Sequence, residues 1–194
     1  MRTTRAVLTL LATVTLAGCS ARRPPATVPT AYPFSEARAM TLMPIVDARS
    51  GEKTRVDLEK LQAQAEKQLA GKNYRVTLGR AEAALENLNV DDIAELTPDL
   101  VRETAPSERR WVMILCLEDV ATKLTFGSTG NAEMTGFLFD KQTGKLAWRN
   151  KGIGKAGQGG LVGMMMKGTM KGEALSAALT NLLLAVPGQP EPVE

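Results

Sequence analysis

The chain has 194 residues, of which 44% are hydrophobic and 23% charged, the proportions of one ordinary globular domain with a sizeable core. Its 24 Lys and Arg against 21 Asp and Glu, with only 4% aromatic residues, leave no basic, base-stacking footprint for nucleic acid. It contains no histidine, so the commonest general base, the commonest zinc ligand and the physiological pH switch are all missing.

Arg2 and Arg5 precede an apolar stretch from Ala6 to Leu16, and small residues then lead to Cys19. This is the three-part layout of a secretory signal peptide, assigned to residues 1–18. The apolar stretch is too short to span a bilayer and remain there. Without the leader, 22 Lys and Arg face 21 Asp and Glu, a nearly neutral balance. Leu16-Ala17-Gly18-Cys19 resembles the lipobox of bacterial lipoproteins. That resemblance implies transfer of diacylglycerol to the Cys19 sulfur, cleavage before Cys19 and acylation, typically by palmitate, of the new amino group. A thiolate is nucleophilic enough to form the thioether. Each buried CH₂ adds about 0.8 kcal/mol, so several chains on one residue hold where one chain is marginal. The plainer alternative is an ordinary signal peptide with a chance cysteine. In the lipoprotein class an aspartate after the cysteine marks inner-membrane retention. Ser20 stands there, so the resemblance implies the outer membrane, with the domain facing the periplasm. No cofactor is expected beyond the covalent lipid on Cys19.

Residues 19–38 hold Arg22-Arg23-Pro24-Pro25, Pro29 and Pro33, a composition that stays extended and acts as a tether of about 3 Å per residue. One domain is expected over 39–187, with a disordered tail from 188 to 194. Ala39–Val46 reads as a strand in which Pro44 demands an edge or a bulge. Asp57 caps a helix with Leu58, Leu61, Ala65 and Leu69 on one face, and Gly71 ends it. Tyr74, Val76 and Leu78 alternate with polar residues as a second strand, parallel to the first across that helix.

Ala81, Ala84, Leu85 and Leu88 suggest a short helix, Val90–Leu96 another after Asn89, and Thr97-Pro98 a third, with Thr97 as cap. Trp111–Leu117 is a strand buried on both faces, in which Cys116 is a core thiol without a partner. Asn131–Phe139 and Leu146–Asn150 form a hairpin across Asp140–Gly144. Ala174, Leu175, Ala178, Leu179, Leu182 and Leu183 make the inner face of a terminal helix ended by Pro187. The expected fold is α/β (α+β): a mixed sheet of about five strands with flanking helices in a three-layer arrangement.

This order of elements resembles a group of periplasm-facing lipoproteins that includes the curli-secretion lipoprotein CsgG and the penicillin-binding-protein activator lipoproteins. Their domain is similar to the amino-terminal domain of TolB. The resemblance lies in Leu42–Val46, Lys72–Val76, Gly136–Asp140 and Gly144–Trp148, and as a pattern of elements it spans residues 40 to 187. It implies partner binding and assembly rather than catalysis, with an envelope protein or a second copy of the chain as the partner class. Pore formation, known in curli-type relatives, is not implied here, because no long alternating membrane hairpin stands out.

Three candidate sites are set against plainer readings. Gly152-Ile-Gly-Lys-Ala-Gly157 matches the spacing of a dinucleotide loop. It precedes further glycines instead of opening a helix and lies outside the βαβ unit, so a mobile glycine-rich connection is expected. Met164, Met165, Met166 and Met170, with Leu161 and Val162, form either an adaptable apolar docking surface or lid, or buried packing, or a soft Cu(I) site. Docking is the preferred reading, and no metal site is assigned. Asp47, Glu118, Asp119 and Asp140 lie near strand ends, where carboxylates serve turns and caps far more often than acid–base chemistry. The expectation is a non-enzymatic envelope module, with a subunit of an export or transport complex as the alternative.

Overall fold

The computed structural model describes residues 36–50, 54–80, 85, 88–103, 109–125, 127–160 and 167–190. The elements in chain order are β1 (Ala39–Leu42), β2 (Val46–Asp47), α1 (Leu58–Ala70), β3 (Arg75–Leu78), α2 (Val90–Ala94), α3 (Pro98–Glu103), β4 (Trp111–Thr125), β5 (Gly127–Asp140), β6 (Lys145–Gly159) and α4 (Lys167–Leu184). Six strands form one sheet in the order β3-β1-β4-β5-β6, with β2 continuing alongside β4. β1 is parallel to both β3 and β4, whereas β4, β5 and β6 form an antiparallel meander. The sheet is therefore mixed, as the order of elements predicts, with β2 as a separate short strand.

Pro44 separates β1 from β2. The break falls where β3 ends, after Leu78 pairs with Leu42, so the missing proline N–H interrupts no continuing ladder. α1 is capped as expected, with Asp57 accepting from the Lys60 N–H at 3.0 Å, and it buries Leu61, Ala65 and Leu69. Gly71 ends it with an ordinary right-handed φ of −64°. The left-handed residue of the turn is Asn73, at φ 65°, a conformation asparagine tolerates better than most side chains. α2 opens with a reciprocal capping box between Asn89 and Asp92. Thr97 caps α3 through its Oγ1. In the expected helix around Ala81–Leu88, only Leu85 and Leu88 are among the described residues, and Leu85 is buried.

Two apolar layers sandwich the sheet. On one face α1 and α4 cover Met40, Leu42, Trp111, Met113, Leu115, Leu117, Met134 and Trp148. On the other, Leu85, Ile93, Leu96 and Val101 cover Val112, Ile114, Cys116, Phe137 and Phe139. β4 is buried on both faces from Trp111 to Leu117, as its unbroken apolar run requires. α1 and α4 lie side by side and run in the same direction, joined by Gln64 Nε2 to Ser176 Oγ at 2.6 Å and Gln68 Nε2 to Thr180 Oγ1 at 3.0 Å.

Contacts reach beyond the expected span of 39–187 at both ends. Ala37 is fully buried and the Trp111 indole donates to Glu36 O at 3.1 Å. Gln189 N donates to Lys72 O at 2.9 Å, and Tyr74 Oη donates to Pro187 O at 2.6 Å. Gln189, expected in a disordered tail, therefore lies against the turn between α1 and β3, held there by hydrogen bonds to Lys72 and from Asn73.

The largest departure from expectation is the glycine-rich connection. Gly152–Gly157 is not a mobile link but the second half of β6, paired with β5 from Met134↔Gly152 to Thr129↔Gly157. The cause is close packing of α4. A Cβ at Gly152 would collide with Ala178 O and come within 2.6 Å of Leu182 N, and one at Gly154 would collide with Ala174 O and Ala178 N. On β5, a Cβ at Gly130 would strike Met170 O. Glycine is needed at these three positions because a helix backbone rests on the strand backbone.

Candidate interaction surface

β4, β5 and β6 are longer than their apolar runs indicate, at 15, 14 and 15 residues. Around Trp111–Leu117 of β4 and the segments of β5 and β6 beside it, helices lie on both faces; beyond Leu117 the strands continue as a three-stranded ribbon that, among the described residues, carries a helix, α4, on one face. The change coincides with a bulge, where register shifts between Leu117 and Asp119 and Glu118 is the extra residue. On the α4 side the ribbon presents Ser128, Gly130, Ala132, Met134, Gly152 and Gly154, all buried. On the other side the rows are Asp119–Glu133–Ile153, Ala121–Asn131–Lys155 and Lys123–Thr129–Gly157. Asp119, Lys123, Thr129 and Lys155 are exposed there, and the remaining side chains of the three rows are half-buried.

Charge is not scattered evenly over that face. At the bulge end, Lys151 Nζ lies 3.1 Å from Glu118 Oε2 and 2.6 Å from Glu133 Oε2, and the Thr135 hydroxyl bonds to Glu118 Oε1. Partial burial works against the Lys151 ammonium, but the hydrogen bonds to Glu133 and Glu118 outweigh it and raise its pKa. Asp119 adds a third carboxylate to this end. Toward the hairpin tip the charged side chains are Lys123 and Lys155.

Two of the carboxylates singled out in the sequence, Asp140 and Asp47, each hold an arginine. Asp140 is fully buried and grips Arg110 with both oxygens, at 3.0 and 2.9 Å, while its Oδ1 also accepts from Gln142 N in the following turn. Gly144 closes that turn at φ 68°, against Pro98 at the start of α3. Asp47 holds Arg49 bidentately, both contacts at 2.7 Å. Asp140, paired beside Trp111, and Asp47, beside Leu117, stand at opposite ends of the two-sided stretch of β4. Cys116 is fully buried, and burial first, then the charge of Glu118, push its thiol up to about 12. Among the described residues no three His, Cys, Asp or Glu side chains are grouped to hold a metal ion, and no helix is long and apolar enough to cross a membrane.

Of the candidate docking residues, Met170 needs correction. It is 3% exposed, in the first turns of α4, where the carbonyl of the same residue rests on Gly130; its side chain is core and belongs to no open surface. Leu161, Val162, Met164, Met165 and Met166 lie outside the described residues, as do Cys19 and Leu16, Ala17 and Gly18 before it. The flanks of the methionine segment are placed, however: β6 ends at Gly159, paired with Gly127 beside the hairpin tip, and α4 starts at Lys167. The described residues begin at Glu36, next to Arg110 and Trp111 at the opposite end of β4. Sequence reasoning missed the ribbon, whose only signal is the weak alternation of Val120, Thr122 and Leu124 with Ala121 and Lys123.

No protein-family model and no curated protein sequence matches the chain. Solved structures do. The hypothetical protein CT253 from Chlamydia trachomatis superposes with a TM-score of 0.51 at 13% identity, over 76% of this chain and 95% of that one. Lipoprotein GNA1162 from Neisseria meningitidis follows at a TM-score of 0.45 and 17% identity, over 68% and 94%. The PelC dodecamer from Paraburkholderia phytofirmans gives 0.47 and 12%, over 78% and 89%. The likeness to the Chlamydia trachomatis protein is one of fold: an α/β domain built on a mixed sheet with flanking helices.

Proposed function

We propose that this chain is a lipid-anchored, non-enzymatic lipoprotein of the outer membrane that faces the periplasm and binds another component of the envelope. The observation that carries the reading is the polarity of the domain. The tether enters at Glu36, at one end of β4, and the flanks of the methionine segment lie at the other end, beside the hairpin tip. Fifteen residues of strand separate the two ends, about 50 Å at roughly 3.4 Å per residue. A domain held by lipid at the first end presents the second away from its own membrane. The lipobox Leu16–Cys19 supports the anchor, and the soft, adaptable side chains of Met164, Met165 and Met166 suit a docking surface that repacks around its partner.

Two arms of one experiment test this reading. Cells fed labelled palmitate should incorporate it into the wild-type chain, and Cys19→Ala should lose both label and membrane attachment; equal labelling of the two chains overturns the anchor. In the same cells, cross-linking to the native lipoprotein should capture an envelope protein that is lost when Met164, Met165 and Met166 are changed to glutamine. An undiminished capture moves docking away from that segment.

A further inference from the structure

We propose that the end of the domain beside Glu36 docks on a lipid surface carrying anionic headgroups, through a row of cations at the strand ends: Arg75, Arg38, Arg109, Lys141 and Lys145. The choice of surface rests on the lipid-anchor reading above.

β1, β3 and β4 all begin at this end, and the turn from β5 to β6 closes it. Arg75 N donates to Arg38 O at 2.8 Å, and Lys141 N donates to Arg110 O at 2.8 Å. Taken in sheet order, β3 starts with Arg75, Arg38 precedes β1, Arg109 lies just before β4, and Lys141 and Lys145 flank the β5–β6 turn. With neighbouring strands about 4.8 Å apart, five strand ends set these cations along a line of roughly 20 Å. Over residues 36–38, 72–75, 109–111 and 140–145, seven basic side chains stand against two acidic ones, a net of +5. Both acids, Glu36 and Asp140, are held by the one guanidinium of Arg110, and Asp99, at the start of α3 beside the turn, is taken by Arg102. Arg38, Arg75 and Lys145 are exposed, and among the described residues they form no ion pair. The ribbon at the other end is balanced, with three basic and three acidic side chains over 118–133 and 151–159.

The position of this end in the chain selects lipid as the partner. The Trp111 indole holds Glu36 O, so the chain before Glu36 adjoins the cationic end and not the ribbon. Sixteen residues separate Cys19 from Glu36, a reach of about 50 Å at roughly 3 Å per residue. A lipid on Cys19 therefore keeps the cationic end close to its own membrane. Beside an anionic leaflet each basic group favours the bound state roughly five-fold, and the attraction fades over about 8 Å at physiological salt. Cations placed in one row at the extremity of the domain can all come within that distance together. Leu184, 51% exposed, ends α4 at the same end, close to where Lys72 Nζ donates to Val186 O. An exposed leucine flanked by cations suits the boundary between headgroups and acyl chains.

The test takes the full chain, purified from membranes in mild detergent, into vesicles of phosphatidylcholine alone or of phosphatidylcholine and phosphatidylglycerol mixed three to one. Both carry a nitroxide quencher on some headgroups. A thiol-reactive fluorophore is placed at Gln142→Cys, exposed in the β5–β6 turn, or at Thr129→Cys, exposed on the distant ribbon, while Cys116 is buried and takes no label. The Gln142→Cys probe should be quenched at least about three-fold more in the mixed vesicles, and the Thr129→Cys probe equally little in both. Arg38→Gln, Arg75→Gln and Lys145→Gln together should abolish the difference. Lys60→Gln, Lys123→Gln and Lys155→Gln together, an equal loss of charge at exposed positions elsewhere, should preserve it. Equal quenching in the two vesicles, a difference that survives the first triple exchange, or one that is lost with the second overturns the proposal, as does a ribbon probe quenched as strongly as the turn probe. The anchor is read separately. A wild-type chain that leaves phosphatidylcholine vesicles, or whose Cys19 takes the fluorophore, ends the anchor reading, while charge-dependent quenching in the mixed vesicles is still read on chains carrying Cys19→Ala.

Discussion

The same three strands live in two environments. From Trp111 to Leu117, β4 has apolar layers on both faces, and its sequence is an unbroken apolar run. From Glu118 to Thr125 it has, among the described residues, a helix on one face only, and its sequence alternates weakly. Burial on two faces dictates composition, whereas burial on one dictates only every second residue. In the ribbon even that signal is muted, because α4 comes so close that its side of the sheet holds Gly130, Gly152 and Gly154 where large apolar residues would otherwise be. The region that sequence reading assigned to a mobile glycine link is therefore among the most tightly packed parts of the molecule.

That contrast can be broken by substitution. Gly154→Leu should have the largest effect, because the new side chain meets backbone atoms of Ala174 and Ala178 instead of a movable side chain; a loss above about 3 kcal/mol is expected, read as a lowered urea midpoint. A mobile link would tolerate the change. Leu182→Ala, at a fully buried position on α4, should cost about 3 kcal/mol in the same assay.

Alkaline titration sharpens the two-sided half. The Cys116 thiol goes from an ordinary value of 9.0 to about 12 in the folded chain. Folding holds the proton that the unfolded chain releases, so this contribution is complete below about pH 9 and is lost as pH rises toward 12, by up to about 1.4 kcal/mol per pH unit. Cys116→Ala should flatten that dependence while lowering stability at neutral pH; an unchanged slope refutes the assignment. Asn89→Ala, which removes the α2 cap, should cost about 1 kcal/mol. Smallest of all, Thr129→Ala on the open ribbon face should change stability by less than about 0.5 kcal/mol, and a larger loss would mean that the face is covered within the chain itself.

Legibility followed the same physics. The βαβ unit was readable because Asp57, Leu61, Ala65 and Leu69 carry cap and stripe together, and the parallel pairing of β1 with β3 follows from that crossover. The Asp140–Gly144 turn was readable from its glycine. The closing face of α4 was readable too, from Ala174 to Leu183, all of whose predicted inner residues are buried. What stayed hidden depends on distant neighbours. Nothing local in Met170 distinguishes a core methionine from a surface one, and nothing in Gly152 announces the helix backbone above it. The pairing of Asp140 with Arg110 spans thirty residues of sequence and could not be chosen over other partners without the fold.

The clamp at the end of the chain has a consequence for timing. Gln64, Gln68, Lys72, Asn73 and Tyr74 all bond to residues 112 to 116 positions later. As the chain is synthesised from its amino terminus, α1 and β3 wait for partners that come more than a hundred residues later. The polar edge of α1 at Gln64 and Gln68 waits for Ser176 and Thr180 of α4, and the turn at Lys72–Tyr74 stays open until Gln189 closes it. Contacts of such separation are slow to form, so the domain cannot complete itself piecemeal during synthesis and stays incompletely closed until the chain through Gln189 is available.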